Sequence, residues 1–170
     1  MAGRTKILSV LASEREELER RYRAFGPDEV DRPCTESESE DGSPWTPKDH
    51  LAHLLRIEEA FLAMAKRTVE GHAKPLDFGA TEPADVIKQV HDDNEAHVRG
   101  LAAKSVGELL DELAEARTAT VSFIETLDDS QLTQSIPGAP WGDGSIGGVL
   151  MANAGHEKMH LHWVDEGLAS

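Results

Sequence analysis

The sequence predicts an all-α protein, specifically a four-helix bundle with a long crossover connection that contains an extra helix. Leu, Ala and Glu are abundant, whereas aromatic residues make up only 5% of the chain, and straight-chain side chains lose little entropy in a helix. Apolar residues also recur at intervals of three and four along four long segments, which is typical of amphipathic helices. A length of 170 residues favours a single helical bundle domain over residues 1–170.

The first half of the chain contains two of the four predicted helices. The first covers residues 4–25 and ends at Gly26-Pro27. Residues 28–44 mix acidic residues with Ser and have no apolar periodicity, so we expect a solvated loop without a function, with an acidic docking patch as the alternative. The second helix is predicted to begin at Thr46-Pro47, because an N-cap residue precedes a proline at the first helical position, and to end near Glu70.

The second half contains the crossover and the other two bundle helices. Pro75 and Pro83 bracket a predicted loop, and residues 84–103 follow as an extra helix that is partly exposed. A further helix is capped by Ser105 and runs to about Leu127. Residues 128–145 are rich in Gly and Pro, which predicts a loop, and the last helix is expected to start near Ser145.

Charge and cysteine content exclude several classes of function. The formal net charge is -15 at pH 7, which opposes binding to nucleic acid and to anionic membranes. The chain has neither a membrane-spanning apolar run nor a signal-peptide pattern, so we expect a cytoplasmic protein. Cys34 is the single cysteine and cannot form an intramolecular disulfide.

The most specific motif is His156-Glu157-Lys158-Met159-His160, which spells the helical zinc-binding pattern HExxH. Two histidines four residues apart lie on one face of a helix, but a metal held for chemistry needs about three protein ligands. A metalloprotease takes its third ligand from well downstream, and residues 161–170 offer only candidates on the same short helix. We therefore expect the third ligand upstream.

A helical projection identifies that ligand. Each helical residue advances by about 100°, which places His156 and His160 on the core side of the last helix and His162 on its surface. In the second helix His53 shares the apolar face, whereas the same projection turns His50 towards charged neighbours.

Three histidines on apolar faces are hard to explain as packing, because each buried imidazole needs a polar partner. A shared ion satisfies all three. Imidazole suits zinc, nickel, iron and copper, and we expect zinc or nickel first.

Other polar and aromatic residues near the motif have less specific interpretations. Glu157 lies about 100° from His156 and is a candidate catalytic base, and the alternatives are that it binds a neighbouring helix or simply lies at a helix interface. Trp141 and Trp163 are candidates for lining a substrate pocket, with core packing as the more common role. Asn94 is a candidate pocket residue, but we expect it on a solvated helix face.

The segment from Trp45 to Leu54 resembles the start of the second helix in the DinB/YfiT-like metalloenzyme superfamily. Further similarity lies in residues 105–113 and 127–132, in Gly144-Ser145-Ile146-Gly147-Gly148-Val149-Leu150, and in His156-x-x-x-His160. The resemblance implies a four-helix bundle with a metal triad of His53, His156 and His160.

Members of that superfamily include thiol-dependent transferases and isomerases that use mycothiol or bacillithiol, and hydrolases that open reactive rings. The resemblance thus implies a small-molecule substrate and a low-molecular-weight thiol as an optional co-substrate, and it is compatible with a homodimer. The sequence has no obvious thiol-binding signature, such as a basic cluster lining the loop before the last helix, and Arg99 and Arg117 are isolated in the sequence. A non-catalytic metal-binding stress or sensor bundle is the alternative function.

Overall fold

A computed structural model describes residues 3–40, 42–74 and 83–170 of the chain, and every regular element within them is a helix. Two isolated β-bridges, Thr35 with Trp45 and Ser135 with Ser145, close loops. The helices are α1 (Arg4–Ala24), α2 (Pro27–Val30), α3 (Pro47–Val69), α4 (Pro83–Gly100), α5 (Val106–Thr126), α6 (Asp129–Leu132) and α7 (Ile146–Ala169). The prediction of an all-α protein is confirmed.

The four long helices α1, α3, α5 and α7 form the bundle. Helix α1 packs against α7 and α5, and α3 packs against α5 and α7. Helix α4 belongs to the connection between α3 and α5 and packs on α3, as the predicted crossover requires. No described helix is both long enough and apolar enough to cross a membrane.

Three of the four bundle helices, α3, α5 and α7, begin where their capping residues predict. The Thr46 side chain accepts a hydrogen bond from the Asp49 amide, and Pro47 follows at the first helical position. Ser105 and Ser145 cap α5 and α7 in the same way. Because each side chain satisfies an amide that lacks a partner within its helix, these caps fix the residue at which α3, α5 and α7 begin.

The core of the bundle consists of two apolar clusters. Each long helix contributes to both clusters and carries one buried charged residue between its two contributions. Those four residues are Arg15, Glu58, Arg117 and Glu157. The core is therefore divided by a charged layer that reaches all four helices.

Two segments differ from the predicted loops. Short helices α2 and α6 lie in regions predicted to lack structure, and the prediction that residues 28–44 are simply solvated is wrong near Ser39, which is 8% exposed. The loop predicted between Pro75 and Pro83 lies largely in residues 75–82, outside the described residues.

The acidic segment, residues 31–40 after α2, is held against α7. Gly167 allows the close approach, since a Cβ atom there would meet the Cys34 carbonyl oxygen at 1.9 Å. Arg32 donates a hydrogen bond to the Leu168 carbonyl at the same contact. The start of the segment therefore lies along the end of the last helix. Further along it, Thr35 lies beside His50 and Glu38 lies beside His53.

Candidate metal centre

Helices α3 and α7 bring His53, His156 and His160 together. One nitrogen from each ring lies within 4.8 Å of the other two. His156 Nε2 is 3.4 Å from His53 Nε2 and 2.9 Å from His160 Nε2. The three residues selected by helical projection thus meet at one point between the two helices.

The cluster has the donor chemistry of a transition-metal site. Zinc–imidazole bonds are about 2.1 Å long, so two nitrogens on one ion can be at most about 4.2 Å apart. Both Nε2–Nε2 distances to His156 meet this limit. An ion at this point would accept three lone pairs, whereas an N–H···N hydrogen bond joins only two rings.

Burial keeps these rings neutral. It lowers the pKa of His156 from 6.5 to about 4. Burial, followed by repulsion from His156, also moves the pKa values of His53 and His160 far below the ordinary histidine value. Neutral imidazoles have the free lone pair that a metal requires, so protons compete little for this site at neutral pH.

His50 is a fourth histidine of the site and corrects the prediction that it faces outwards. It is 1% exposed, and its Nδ1 lies 2.7 Å from Nδ1 of His160. On its far side His50 Nε2 is 2.9 Å from Thr35 Oγ1. This chain of contacts reaches the ring nitrogen of His160 that points away from the triad, where it can set the tautomer of that ligand.

The other two triad members have no such support. Nδ1 of His53 and Nδ1 of His156 are buried and have no hydrogen-bond partner within the described part of the chain. His160 is thus the member whose orientation is fixed by a second residue.

Trp45 covers the cluster, a role that the sequence analysis missed. The side chain is 1% exposed, and its ring centroid lies 5.2 Å from that of His53 and 5.4 Å from that of His50. Its indole Nε1 donates to Glu95 Oε2 at 2.8 Å. The position of Trp45 just before the N-cap of α3, inside the family-like segment, is the sequence signal that could have identified it.

Glu157 lies in the charged layer. Its Oε1 accepts hydrogen bonds from Arg15 Nε at 3.1 Å and from Arg117 Nη2 at 2.8 Å. The two arginines also donate to Glu58, which accepts from Arg117 Nη2 at 2.8 Å. The catalytic role of Glu157 stays a prediction, but its contacts are those of a four-residue ion cluster.

The ion cluster formed by Arg15, Glu58, Arg117 and Glu157 also changes the interpretation of Arg117. This residue is isolated in the sequence, but in the structure it contacts two carboxylates. Burial alone would lower the pKa of its guanidinium, yet Glu157 and Glu58 more than offset this and raise it. Arg117 is 6% exposed and is therefore committed to the core.

An apolar cavity of about 250 Å³ opens beside the triad. His156 forms part of its wall, so the cavity reaches a candidate ligand directly. The remaining lining is Ile57, Phe61, Trp141, Ala152, Gly155 and Met159. Trp141 thus lines a pocket, as one of its two predicted roles requires, and its ring centroid lies 4.9 Å from that of Phe61.

A second cavity, of about 300 Å³, lies at His160 and His50. Trp163 lines it and keeps 39% of its surface exposed, so this residue is less buried than core packing predicts and lines a pocket, as its other predicted role requires. The acidic segment contributes Glu36 and Glu38 to the wall. The two cavities therefore differ in character, one apolar and the other partly acidic.

Asn94 is buried, contrary to the prediction of a solvated helix face. It is 6% exposed, and its Nδ2 donates to Glu38 Oε2 at 2.9 Å. Helix α4 therefore faces the acidic segment with a polar residue that the sequence pattern did not distinguish.

Comparison with known proteins identifies the family of this chain. No curated protein and no solved structure matches the chain. The family model of the DinB superfamily matches residues 38–164, a range that includes all three candidate ligands, the bundle helices α3 and α5, and most of α7. The chain belongs to the DinB superfamily.

Proposed function

We propose that the protein is a metal-dependent enzyme that acts on a small electrophilic molecule. His53, His156 and His160 would hold a divalent transition metal, with zinc or nickel as the first expectation. A bound ion of this kind lowers the pKa of a coordinated water or thiol and so supplies a nucleophile near neutral pH. The activity would be that of a thiol S-transferase or a hydrolase of the detoxification or resistance type.

The observation that carries the proposal is that a triad member is also a wall of an apolar cavity. His156 has its Nε2 in the cluster and its ring at the cavity of about 250 Å³. Small-molecule sites combine an apolar lining with a few well-placed polar groups. An electrophile bound against Trp141 and Met159 would thus lie next to the activated nucleophile.

Turnover tests the proposal. Metal-loaded protein would be offered small electrophiles, such as epoxides and activated halides, in water alone and with low-molecular-weight thiols. We expect metal-dependent loss of the electrophile, with His156→Ala inactive and His162→Ala, which changes an exposed residue of the same helix, unaffected.

The second candidate is a non-catalytic metal-binding sensor or stress-response bundle. It is favoured by the position of the triad in the core, where one ion would link α3 to α7. Its signature would be a metal-loaded protein that turns over no member of the panel, together with a sharp fall in melting temperature when the metal is removed. That pair of results would contradict the enzyme proposal.

A further inference from the structure

The acidic segment after α2 is anchored on helix α4. Ser37 Oγ donates to Glu95 Oε2 at 2.7 Å, and Ser39 Oγ donates to Asp92 Oδ1 at 2.8 Å. Burial alone would raise the pKa of Glu95, but hydrogen bonds from Ser37, Trp45 and Arg99 lower it, so this anchor is a carboxylate. Two serine contacts, one on each side of Glu38, therefore fix the position of the intervening residue.

Glu38 itself points towards the histidine cluster. Its Oε2 accepts the hydrogen bond from Asn94, and its Oε1 lies 3.9 Å from Nε2 of His53. That nitrogen is the one His53 contributes to the cluster. A distance of 3.9 Å is too long for a hydrogen bond, but it lies within the limit of about 4.2 Å for two donor atoms that share one ion. Among the described residues, the possible ligand atoms that all lie within 4.8 Å of one another belong to His53, His156 and His160, so Glu38 approaches the site from the side of His53.

Charge also favours a carboxylate at this place. Three neutral imidazoles leave the charge of a divalent ion uncompensated in a buried site, where burying a charge without a partner is costly. Carboxylate oxygens are regular partners of zinc beside histidine. Asn94 is itself buried, so the group that orients Glu38 is part of the protein interior.

We propose that Glu38 is a fourth protein group of the metal centre, a carboxylate that Asn94 holds towards the ion bound by the three histidines. The inference rests on the metal centre of the proposed function. Under it the site contains three nitrogen donors from α3 and α7 and, on the side of His53, one carboxylate from the acidic segment that faces the ion, with Asn94 as a positioning residue.

A measurement of metal affinity tests the role of Glu38 in the metal centre and does not depend on any enzyme activity. The zinc dissociation constant would be measured by competition with a chromophoric chelator, and the site would be examined by visible absorption of the Co²⁺ form. Glu38→Gln keeps the size of the side chain and can still accept from Asn94, but it removes the charge. We expect a loss of about 10- to 100-fold in zinc affinity and an altered Co²⁺ spectrum.

Glu36→Gln is the matched control, because Glu36 lies in the same segment and lines the same cavity as Glu38. It should bind zinc as the wild type does. Asn94→Ala should weaken binding less than Glu38→Gln, since it frees the carboxylate without removing it. Glu38→Asp, which keeps the charge on a shorter side chain, should also give an intermediate loss.

Circular dichroism would establish that each variant is folded. If Glu38→Gln matches the wild type in zinc affinity and in Co²⁺ spectrum, Glu38 is not part of the centre, even though the centre exists. If the wild type binds no metal, the proposed metal centre fails and this inference fails with it.

Discussion

Nδ1 of His50 lies 2.7 Å from Nδ1 of His160, and this contact joins a buried histidine of α3 to a candidate ligand on α7. A metal-bound imidazole donates its second N–H to a neighbour, which fixes its ring and tautomer. With His160 Nε2 directed at the ion, its Nδ1–H would donate to His50, and His50 Nε2–H would donate to Thr35. These two hydrogen bonds give both ring nitrogens of His50 a partner, which explains why this polar residue is found at a buried position.

Replacing His50 should therefore weaken metal binding although His50 is not a ligand. His50→Phe fills a similar volume but offers no nitrogen, and we expect about 10- to 100-fold lower zinc affinity. Thr35→Val should produce a smaller loss. Chelator competition measures both, with His162→Ala as the control, and equal affinities for His50→Phe and the wild type would contradict the proposed hydrogen-bond chain.

A second prediction concerns the charged layer. Glu157→Gln removes one of two carboxylates that Arg15 and Arg117 share. Because loss of one partner leaves buried charge uncompensated, we expect the free energy of unfolding to fall by about 3–5 kcal/mol. Urea denaturation measures this change.

The same variant separates a structural from a catalytic role for Glu157. At a temperature where Glu157→Gln is folded, the structural role predicts nearly unchanged turnover per bound metal. A large loss of turnover with unchanged stability would instead support the catalytic role predicted from the HExxH pattern.

The helices and the three histidines of the triad could be predicted from the sequence, because the apolar spacing within each helix places His53 on the inner face of α3 and His156 and His160 on that of α7. The burial of His50 and Asn94 could not be predicted in this way. A projection compares a residue with its own helix, whereas these two residues are covered by a segment without periodicity. That segment is placed by contacts distant in sequence, such as Ser39 with Asp92 and Gly167 with Cys34.

The charged layer had a signal that the sequence analysis did not use. Arg15 lies four residues after Leu11 and three before Leu18, so it occupies an apolar register position of α1. Glu157 similarly precedes Leu161 by four residues. A charged residue within a buried stripe needs an opposite charge, but a single sequence does not specify which residue on another helix supplies it.

The third prediction concerns pH. Burial, with repulsion from His156, lowers the pKa of His50 from 6.5 to about 4, and burial lowers that of His156 to about 4 as well. Between pH 6.5 and about pH 4, these two histidines bind more protons in the unfolded chain than in the folded one. The free energy of unfolding of the metal-free protein should therefore fall as the pH drops from about 6.5 to about 4.

Urea denaturation across that range measures the effect. A His50→Gln/His156→Gln variant, which lacks these two titrations, should have a flatter dependence on pH than the wild type. Parallel curves for the two proteins would show that His50 and His156 do not account for the acid sensitivity.

The fourth prediction addresses the apolar cavity. Trp141→Ala removes an aromatic wall that contacts Phe61. For an apolar electrophile we expect kcat/KM to fall roughly 10-fold or more, because apolar contacts in a pocket contribute at this level, while metal content is unchanged. Ile87→Ala, at an exposed residue outside this cavity, is the control. An unchanged kcat/KM for Trp141→Ala would exclude this cavity as the substrate site.

Metal stoichiometry tests the central claim most directly. Untagged protein would be equilibrated separately with Zn²⁺, Ni²⁺, Fe²⁺ and Cu²⁺, freed of excess ion and assayed by elemental analysis, beside His160→Ala and His162→Ala. We predict one tightly bound ion per chain in the wild type and in His162→Ala, and none in His160→Ala. A wild type that retains none of these ions, or a His160→Ala variant that retains as much as the wild type, would contradict the metal centre.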